Sequence, residues 1–278
     1  GAMCFVIAAM GPRIGNQDSE VKKEGIAIMM VMDNSGSMRA LDLDDPEDQT
    51  EQTRLDVVKK LFQEFILGGE GLDGRKNDAV GLVRFAGFAD TACPLTLDHS
   101  SLVGVAQSVD IVQDQNEDGT AIGDGLALAV SRIKRSKARS KIIILLTDGV
   151  NTAGTESPLS AAELAKTEGV KVYAIGAGTN GYAPIRLPGD SRLRSMQVQI
   201  DEDSLKKIAE KTGGKYFRAK NYESLKEVYG IIDGLEKTEL KQVLYLQYTE
   251  YYRWALALAL GCAMIGMGLD ATYLRRGV

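Results

Sequence analysis

Oxygen-bearing side chains follow an apolar run near the start of the chain. Asp33, Ser35 and Ser37 form a D-x-S-x-S sequence directly after the run 26–32, whose composition is typical of a buried strand. In open α/β sheets, ligand sites form beyond the carboxyl ends of parallel strands. One carboxylate and two hydroxyls at such an edge are ligands suited to a hard cation. An Asx-turn that caps the next element is the competing interpretation.

Two later segments place further oxygens at comparable positions. Thr120 lies in a D-G-T sequence ahead of a helical pattern, and Asp148 follows the apolar run 141–147. Taken alone, Thr120 is also a common helix N-cap and Asp148 a common turn residue. Because parallel strands end at a shared edge, we expect Asp148 to lie beside Asp33. Together these segments predict one metal site.

The three segments resemble the metal-ion-dependent adhesion site (MIDAS) of the von Willebrand factor type A (VWA) family. That site combines D-x-S-x-S with a Thr from a later loop and an Asp in a T-D-G-like turn, which here are Asp33, Ser35, Ser37, Thr120 and Asp148. The resemblance spans 24–236 and implies a bound Mg²⁺, with Mn²⁺ or Ca²⁺ as alternatives. It implies direct or near-direct ligation by the three hydroxyls, with the two carboxylates acting largely through water. A cation held mostly by neutral hydroxyls keeps an open position for a partner's carboxylate.

Apolar runs alternate with amphipathic helical patterns between residues 26 and 235. Strands are predicted over 26–32, 79–85, 90–95, 141–147, 170–176 and 215–219. Helices are predicted over 54–67, 100–108, 158–168, 203–212 and 222–235, with another beginning at Thr120. Near-continuous apolar strands alternating with helices are typical of a largely parallel sheet covered on both faces. The predicted fold is therefore α/β, with a doubly wound, Rossmann-like central sheet.

Two insertions interrupt this alternation. The acidic segment 42–48 follows the serine turn and is expected on the rim of the metal site. A solvated loop, a second cation site and a charge filter for the partner are the alternatives for its function. Alternating residues between Ala183 and Ile200 predict a short hairpin, which we expect near the opposite end of the fold.

Composition argues against several other functions. A net charge of −5 with a pI near 5.2 argues against nucleic acid as a partner, and the basic run 132–141 fits the end of a helix and the loop after it. The three cysteines are far apart, which predicts neither a disulfide framework nor a zinc site. His99, the single histidine, has no sequence pattern of a Ser-His-Asp hydrolase around it.

Both ends of the chain carry apolar segments. Residues 254–269 contain no charge over 16 positions, a helical length of about 24 Å, and aromatic and basic residues flank them. We therefore predict a C-terminal transmembrane helix over 251–274, with a helix packed on the domain as the alternative. Residues 1–12 are interpreted as the tail of a truncated membrane helix, and 24–236 as the VWA domain.

The arrangement of apolar ends around these motifs resembles the bacterial Bat (Bacteroides aerotolerance) proteins, which share the D-x-S-G-S-M and G-T-A-I-G-D sequences and a Y-Y-x-W span ending in R-R. The resemblance implies a MoxR-type AAA+ ATPase or other Bat proteins as partners, and a role in envelope stress or complex maturation. It places the chain in a bacterial inner membrane. Arg275 and Arg276 favour an extracytoplasmic domain, whereas Arg13, Lys22 and Lys23 weigh against that orientation.

An enzymatic function is the rival interpretation. An Asp at the end of the first strand is also typical of haloacid-dehalogenase phosphatases, in which it attacks phosphate. Those enzymes use an acid two residues later, and Ser35 at that position cannot act as a general acid near neutral pH. The phosphate-cradling G-x-x-x-x-G-K sequence is also lacking in the chain. A binding function is therefore favoured over a Mg²⁺-dependent hydrolase that uses Asp33.

Overall fold

The computed structural model describes residues 13–15, 25–43, 50–69, 71–114, 116–186, 192–244, 248–250, 260–261 and 264–265. The chain divides into two compact units, one of Lys23–Glu236 and one of Gly1–Lys22 with Lys237–Val278. In the second unit, β1 (Arg13–Gly15) pairs antiparallel with β10 (Tyr248–Glu250). The first unit contains the candidate site.

Eight strands lie within the described part of the larger unit. They are β2 (Ala27–Asp33), β3 (Ala79–Phe85), β4 (Ala89–Thr96), β5 (Lys141–Thr147), β6 (Lys171–Ala177), β7 (Gly181–Arg186), β8 (Leu193–Val198) and β9 (Tyr216–Ala219). The helices are α1 (Arg54–Leu67), α2 (His99–Gln107), α3 (Ile122–Ile133), α4 (Pro158–Thr167), α5 (Glu202–Thr212) and α6 (Tyr222–Leu244), and a 3-10 turn spans Gly36–Arg39.

The central sheet has the strand order β4-β3-β2-β5-β6-β9, and only β4 runs antiparallel to its neighbour. Every residue of β2 is buried, as expected for a strand covered on both faces. Helices α3, α4 and α5 pack on the face that includes Met29, Val31 and Ala174. Tyr173 points to the other face and bonds to α6. The predicted doubly wound α/β fold is confirmed.

Helix α1 begins immediately beside the carboxyl edge of the sheet. Thr53 and Asp56 form a capping box, in which the Thr53 hydroxyl accepts from the Asp56 N–H at 3.2 Å and the Asp56 carboxylate accepts from the Thr53 N–H at 3.1 Å. A capping box satisfies two of the otherwise unpaired N–H groups at a helix start. The cap fixes Arg54 as the first helical residue.

The chain enters and leaves the larger unit at the amino edge of the sheet. The Ile26 N–H donates to Asp78, just ahead of β3, at 2.9 Å. Arg75 lies between Asp78 and Asp233 of α6, with N–O distances of 3.2 and 2.9 Å. These contacts join the first strand to the last helix on the side of the sheet opposite Asp33.

A second contact fixes α6 at the same edge. Glu236 is 1% exposed and accepts hydrogen bonds from the Tyr173 hydroxyl at 2.6 Å and the Ser140 hydroxyl at 2.9 Å. Ser140 immediately precedes β5. Because a buried carboxylate needs such donors, Glu236 holds α6 firmly against the sheet.

The predicted hairpin is present as β7 paired antiparallel with β8. Its expected place near the opposite end of the fold was wrong. Strand β6 ends at Ala177 on the same edge as Asp33, and the hairpin starts four residues later. Ile185 forms a bridge with Ala40, just after the serine turn. The alternating pattern identified the hairpin, but it carried no information about the sheet edge from which the hairpin leaves.

In the part of the chain that the structure describes, no helix is both long enough and apolar enough to cross a membrane. The predicted span 251–274 lies outside the described residues except for the helical positions 260–261 and 264–265. The predicted tail 1–12 and the acidic positions 44–49 also lie outside them.

Candidate metal centre

The two acids of the predicted site lie at the ends of neighbouring parallel strands. Asp33 is the last residue of β2, and Asp148 directly follows β5, which pairs with β2. Both residues are fully buried. The Asp33 carboxylate accepts from the Ser35 N–H at 2.9 Å and from the Thr147 hydroxyl at 2.6 Å. The fold therefore brings two carboxylates together beneath the serine turn.

The serine turn places two hydroxyls against these acids. The Ser37 hydroxyl donates to Oδ1 of Asp148 at 2.6 Å, and Oγ of Ser35 lies 3.0 Å from Oγ of Ser37. The turn continues as the 3-10 segment Gly36–Arg39. Its hydroxyls thus face the ends of both strands, as the sequence predicts.

Thr120 completes the set from a third loop. Its Oγ1 lies 3.3 Å from the point at which a Cβ on Gly149 would stand, beside Asp148. The Thr120 N–H donates to Oγ1 of Thr152 at 3.1 Å, and the Thr152 N–H donates to the Thr120 carbonyl at 3.0 Å. Helix α3 starts at Ile122, two residues later than the helix predicted from Thr120. Thr120 is therefore a loop residue held beside the second acid.

An arginine that the sequence analysis missed lies under the site. Arg54 is fully buried, and its Nη1 is 2.7 Å from Oδ2 of Asp148. Its Nε and Nη2 donate to Asp42 at 2.6 and 2.5 Å. Asp42 also accepts from the N–H and hydroxyl of Thr179, at 2.8 and 2.6 Å. Asp42, the first residue of the acidic segment 42–48, is thus bound internally.

Gly178 makes room for this arginine. Its φ is +92°, and a Cβ at this position would lie 2.3 Å from Cζ of Arg54. Neither Arg54 nor Gly178 carries a local sequence signal, since an Arg in the first turn of an amphipathic helix is usually solvated. The pairing can be recognised only in the folded chain, in which β2, β5 and β6 end at one edge of the sheet.

Burial and charge repulsion act on the two acids. Burial, and then the neighbouring Asp148, raise the pKa of Asp33 to about 7. Burial also raises the pKa of Asp148, although Arg54 opposes the shift. Around Asp42, burial is outweighed by hydrogen bonds from Arg54 and Thr179, and the pKa is lowered.

The donor set fits a hard dication. Asp42 and Asp148 share one Arg, and Asp33 is buried beside Asp148, so a cation would balance negative charge that Arg54 leaves uncompensated. All its side-chain donors facing the edge are oxygens, as Mg²⁺ and Ca²⁺ prefer. Among the described residues, no group of three or more His, Cys, Asp or Glu could hold a metal ion. A cation at this edge would therefore depend on Ser35, Ser37 and Thr120 as well as the acids.

Other candidate nucleophiles and bases lie away from this edge. His99 starts α2, with Nε2 2.9 Å from the carbonyl oxygen of Asp78 at the amino edge. Cys93 is buried in β4. Asp33 has both carboxylate oxygens engaged by hydrogen bonds, which is unfavourable geometry for attack on phosphate.

Known proteins share this fold. BatB from Bacteroides thetaiotaomicron is 28% identical, with a TM-score of 0.63 over 78% of this chain and 100% of that chain. An aerotolerance-related membrane protein from Bacteroides fragilis is 27% identical, with a TM-score of 0.62 over 78% of this chain and 100% of that chain.

A more distant structure, proximal thread matrix protein 1 from the mussel byssus with a zinc-occupied MIDAS motif, shares the fold at 21% identity, with a TM-score of 0.53 over 79% of this chain and 46% of that chain. The family model for the von Willebrand factor type A domain matches residues 27–230, most of the chain. The chain therefore belongs to the von Willebrand factor type A domain family.

Proposed function

We propose that this protein binds a divalent cation through Asp33, Ser35, Ser37, Thr120 and Asp148, and that the loaded site binds a carboxylate of a protein partner. Mg²⁺ is the proposed cation, with Mn²⁺ or Ca²⁺ as alternatives. The observation that carries the proposal is the bond from Ser37 to Asp148, which closes the serine turn over two buried acids at 2.6 Å. Zinc in the MIDAS motif of the mussel protein is a precedent for a cation in this fold.

The residues that hold the cation also leave it reactive. Arg54 engages one oxygen of Asp148 and so reduces the negative charge available to a cation. Ser35, Ser37 and Thr120 contribute neutral oxygens. When bound, the cation would supply an open coordination position of positive charge for an exogenous carboxylate. Binding, and not turnover, is the proposed activity, and a phosphatase assay with Mg²⁺ should show no product.

Membrane attachment is the second part of the proposal. We infer from the Bacteroides fragilis membrane protein, together with the apolar segment 251–274, that the chain is anchored in a bacterial inner membrane with the domain outside the cytoplasm. A MoxR-type AAA+ ATPase or another Bat protein is the proposed partner class. Reporter fusions after Val278 test the orientation, since an active cytoplasmic reporter is expected there.

Calorimetry with Thr120 variants tests the metal site. Thr120→Ser keeps the hydroxyl and should bind Mg²⁺ within about threefold of the unchanged protein, whereas Thr120→Val should lose at least about tenfold in affinity. A pull-down from native membranes should recover the partner with Mg²⁺ and lose it with chelator. Equal Mg²⁺ affinity of the Ser and Val variants would contradict the site, and equal recovery with chelator would contradict its use in partner binding.

A further inference from the structure

The hairpin β7–β8 leaves the sheet one strand away from the candidate metal centre. Strand β6, which precedes it, is the neighbour of β5, whose end carries Asp148. Beyond the Ala40–Ile185 bridge, the Leu41 N–H donates to the Pro184 carbonyl at 2.9 Å. The hairpin therefore continues directly from the segment that follows the serine turn.

Buried contacts fix the hairpin in this position. Ala183, Ile185 and Val198 form a small apolar cluster with Ala40. At its base, the side-chain oxygen of Asn180 accepts from the Ile200 N–H at 3.0 Å. Just before the base, Thr179 bonds to Asp42, which pairs with Arg54 under the metal centre. The paired strands of the hairpin are thus packed against the segment that follows the serine turn.

One face of the hairpin is exposed, and half of its residues are apolar. This hairpin face consists of Tyr182, Pro184, Arg186, Leu193, Ser195 and Gln197, which alternate outward on the paired strands. Tyr182 is 74% exposed and Leu193 is 55% exposed. The face contains neither Asp, Glu nor Lys, and its Arg186 pairs with Glu51. Tyr and Arg are enriched, and Asp, Glu and Lys depleted, at protein–protein interfaces.

The side of the metal centre away from the hairpin is acidic. An acidic rim of exposed residues precedes Thr120 and consists of Asp110, Asp114, Glu117 and Asp118. It touches the serine turn through Asp118 and the β3–β4 turn through Glu117, whose carbonyl accepts from the Gly87 N–H at 2.9 Å. Phe88, in that turn, is 57% exposed. An exposed aromatic residue therefore flanks the centre on each side. Among the described residues, four exposed acids lie beside Phe88, whereas Glu51, the acid at the hairpin face, is paired with Arg186.

We propose that the partner of the metal centre lies across the hairpin face. The proposed occupant is a protein segment that carries the cation-binding Asp or Glu together with an apolar side chain for Tyr182 and Leu193. Charge complementarity favours the hairpin face over the acidic rim as the contact surface for this segment. A segment presenting a carboxylate is repelled by the acidic rim within a Debye length of about 8 Å. The six residues of the hairpin face include no acid, and the neighbouring Glu51 is neutralised by Arg186. This inference rests on the proposed metal-dependent binding of a carboxylate.

Tyr182 and Phe88 provide a matched pair for the test. The photoreactive residue p-benzoylphenylalanine is placed at either position in the full chain, and the cells that natively produce the protein are irradiated. The adduct is expected at position 182 and not at position 88, and it should disappear in the Thr120→Val background. The partner peptide joined to position 182 should contain an Asp or Glu close to the cross-linked residue.

The outcomes separate the two proposals. Labelling at position 88 alone, at both positions equally, or at neither would overturn the hairpin assignment and leave the metal centre untouched. A position-182 adduct that persists in the Thr120→Val background would contradict metal-dependent binding and with it this inference. A cross-linked partner peptide without an acid would overturn the stated chemistry of the occupant.

Affinity measurements with the captured partner provide a second readout. Tyr182→Ala should weaken partner binding at least about tenfold, as expected for an interface aromatic, and Phe88→Ala less than about threefold. Both variants should bind Mg²⁺ with unchanged affinity in calorimetry. Equal losses of partner affinity in the two variants would place the contact elsewhere.

Discussion

The main-chain N–H of Gly36 donates a hydrogen bond of 2.8 Å to Oδ1 of Asp118, 82 residues farther along the chain. The same oxygen accepts from the Gly119 N–H at 3.0 Å. The other oxygen would lie 2.6 Å from a Cβ at position 36, so only glycine fits there without displacement. Asp118 thus holds the serine turn and the Thr120 loop in one arrangement.

Asp118 is not expected to contact the cation. Replacing it should nevertheless weaken cation binding, because it holds the serine turn and the Thr120 loop in place. Asp118→Ala is expected to lower Mg²⁺ affinity about tenfold, as is usual for groups that orient ligands. Asp118→Asn keeps an acceptor oxygen and should remain within about threefold. Calorimetry measures both, with Glu117→Ala as the control that removes a neighbouring exposed acid. Equal losses in the Ala and Asn variants would mean that the charge acts, and not the hydrogen bond.

Removing the charge of Asp33 should stabilise the protein in the absence of a cation. The Asp33 carboxylate is buried beside Asp148, so Asp33→Asn at pH 8 should raise the free energy of unfolding of the metal-free protein by about 1–3 kcal/mol. The same change should abolish stabilisation by Mg²⁺. Urea unfolding with and without Mg²⁺ measures both effects.

Asp148→Asn is the matched control for this prediction. It removes a buried charge but also a partner of Arg54, so the unfolding free energy of the metal-free protein should rise less than in Asp33→Asn. A lower unfolding free energy for metal-free Asp33→Asn than for the unchanged protein would contradict the electrostatic description of the site.

Gly178 should tolerate no side chain, because Arg54 occupies the space of its Cβ and its φ is +92°. Gly178→Ala is expected to lower the unfolding free energy by about 3 kcal/mol or more. At Gly181 the φ is +115° but no atom lies within 4 Å of the added Cβ. Gly181→Ala should therefore lose only about 1–2 kcal/mol, from backbone strain. Urea unfolding compares the two variants. Equal losses of unfolding free energy would show that the Arg54 side chain moves aside at little cost.

Two buried tyrosines, one within α6 and one bonded to it, should change the unfolding free energy in opposite directions when their hydroxyls are removed. The Tyr229 hydroxyl is buried without a hydrogen-bond partner among the described residues, whereas the Tyr173 hydroxyl donates to Glu236 at 2.6 Å. Tyr229→Phe should raise the unfolding free energy by up to about 1 kcal/mol, and Tyr173→Phe should lower it by about 1–3 kcal/mol. Thermal unfolding ranks the variants. A destabilised Tyr229→Phe would indicate a bonded hydroxyl.

The sequence predicted the strands and the polar residues that meet at their ends, because both depend on local patterns. Continuous apolar runs identified β2 and β5, and the polar residues that end them identified Asp33 and Asp148. Thr120 followed from the family resemblance, since its hydroxyl alone does not differ from that of a helix cap.

The residues that escaped prediction act across long sequence separations. Arg54 meets Asp148 94 residues away, and Asp42 meets Thr179 137 residues away. Neither pair leaves a periodic or spaced pattern. The place of the hairpin was missed for the same reason, because the bridge from Ala40 to Ile185 depends on which strand ends meet.

The contacts of Arg75 with Asp78 and Asp233 have a mechanical consequence. They connect the start of β2 to α6, where the chain enters and leaves the domain. A pulling force applied through residues 25 and 236 would first load these contacts at the amino edge. The oxygens of Asp33 and Asp148, at the opposite edge, lie outside that path. Tension between residues 25 and 236 would therefore leave the edge that carries Asp33 and Asp148 outside the loaded contacts.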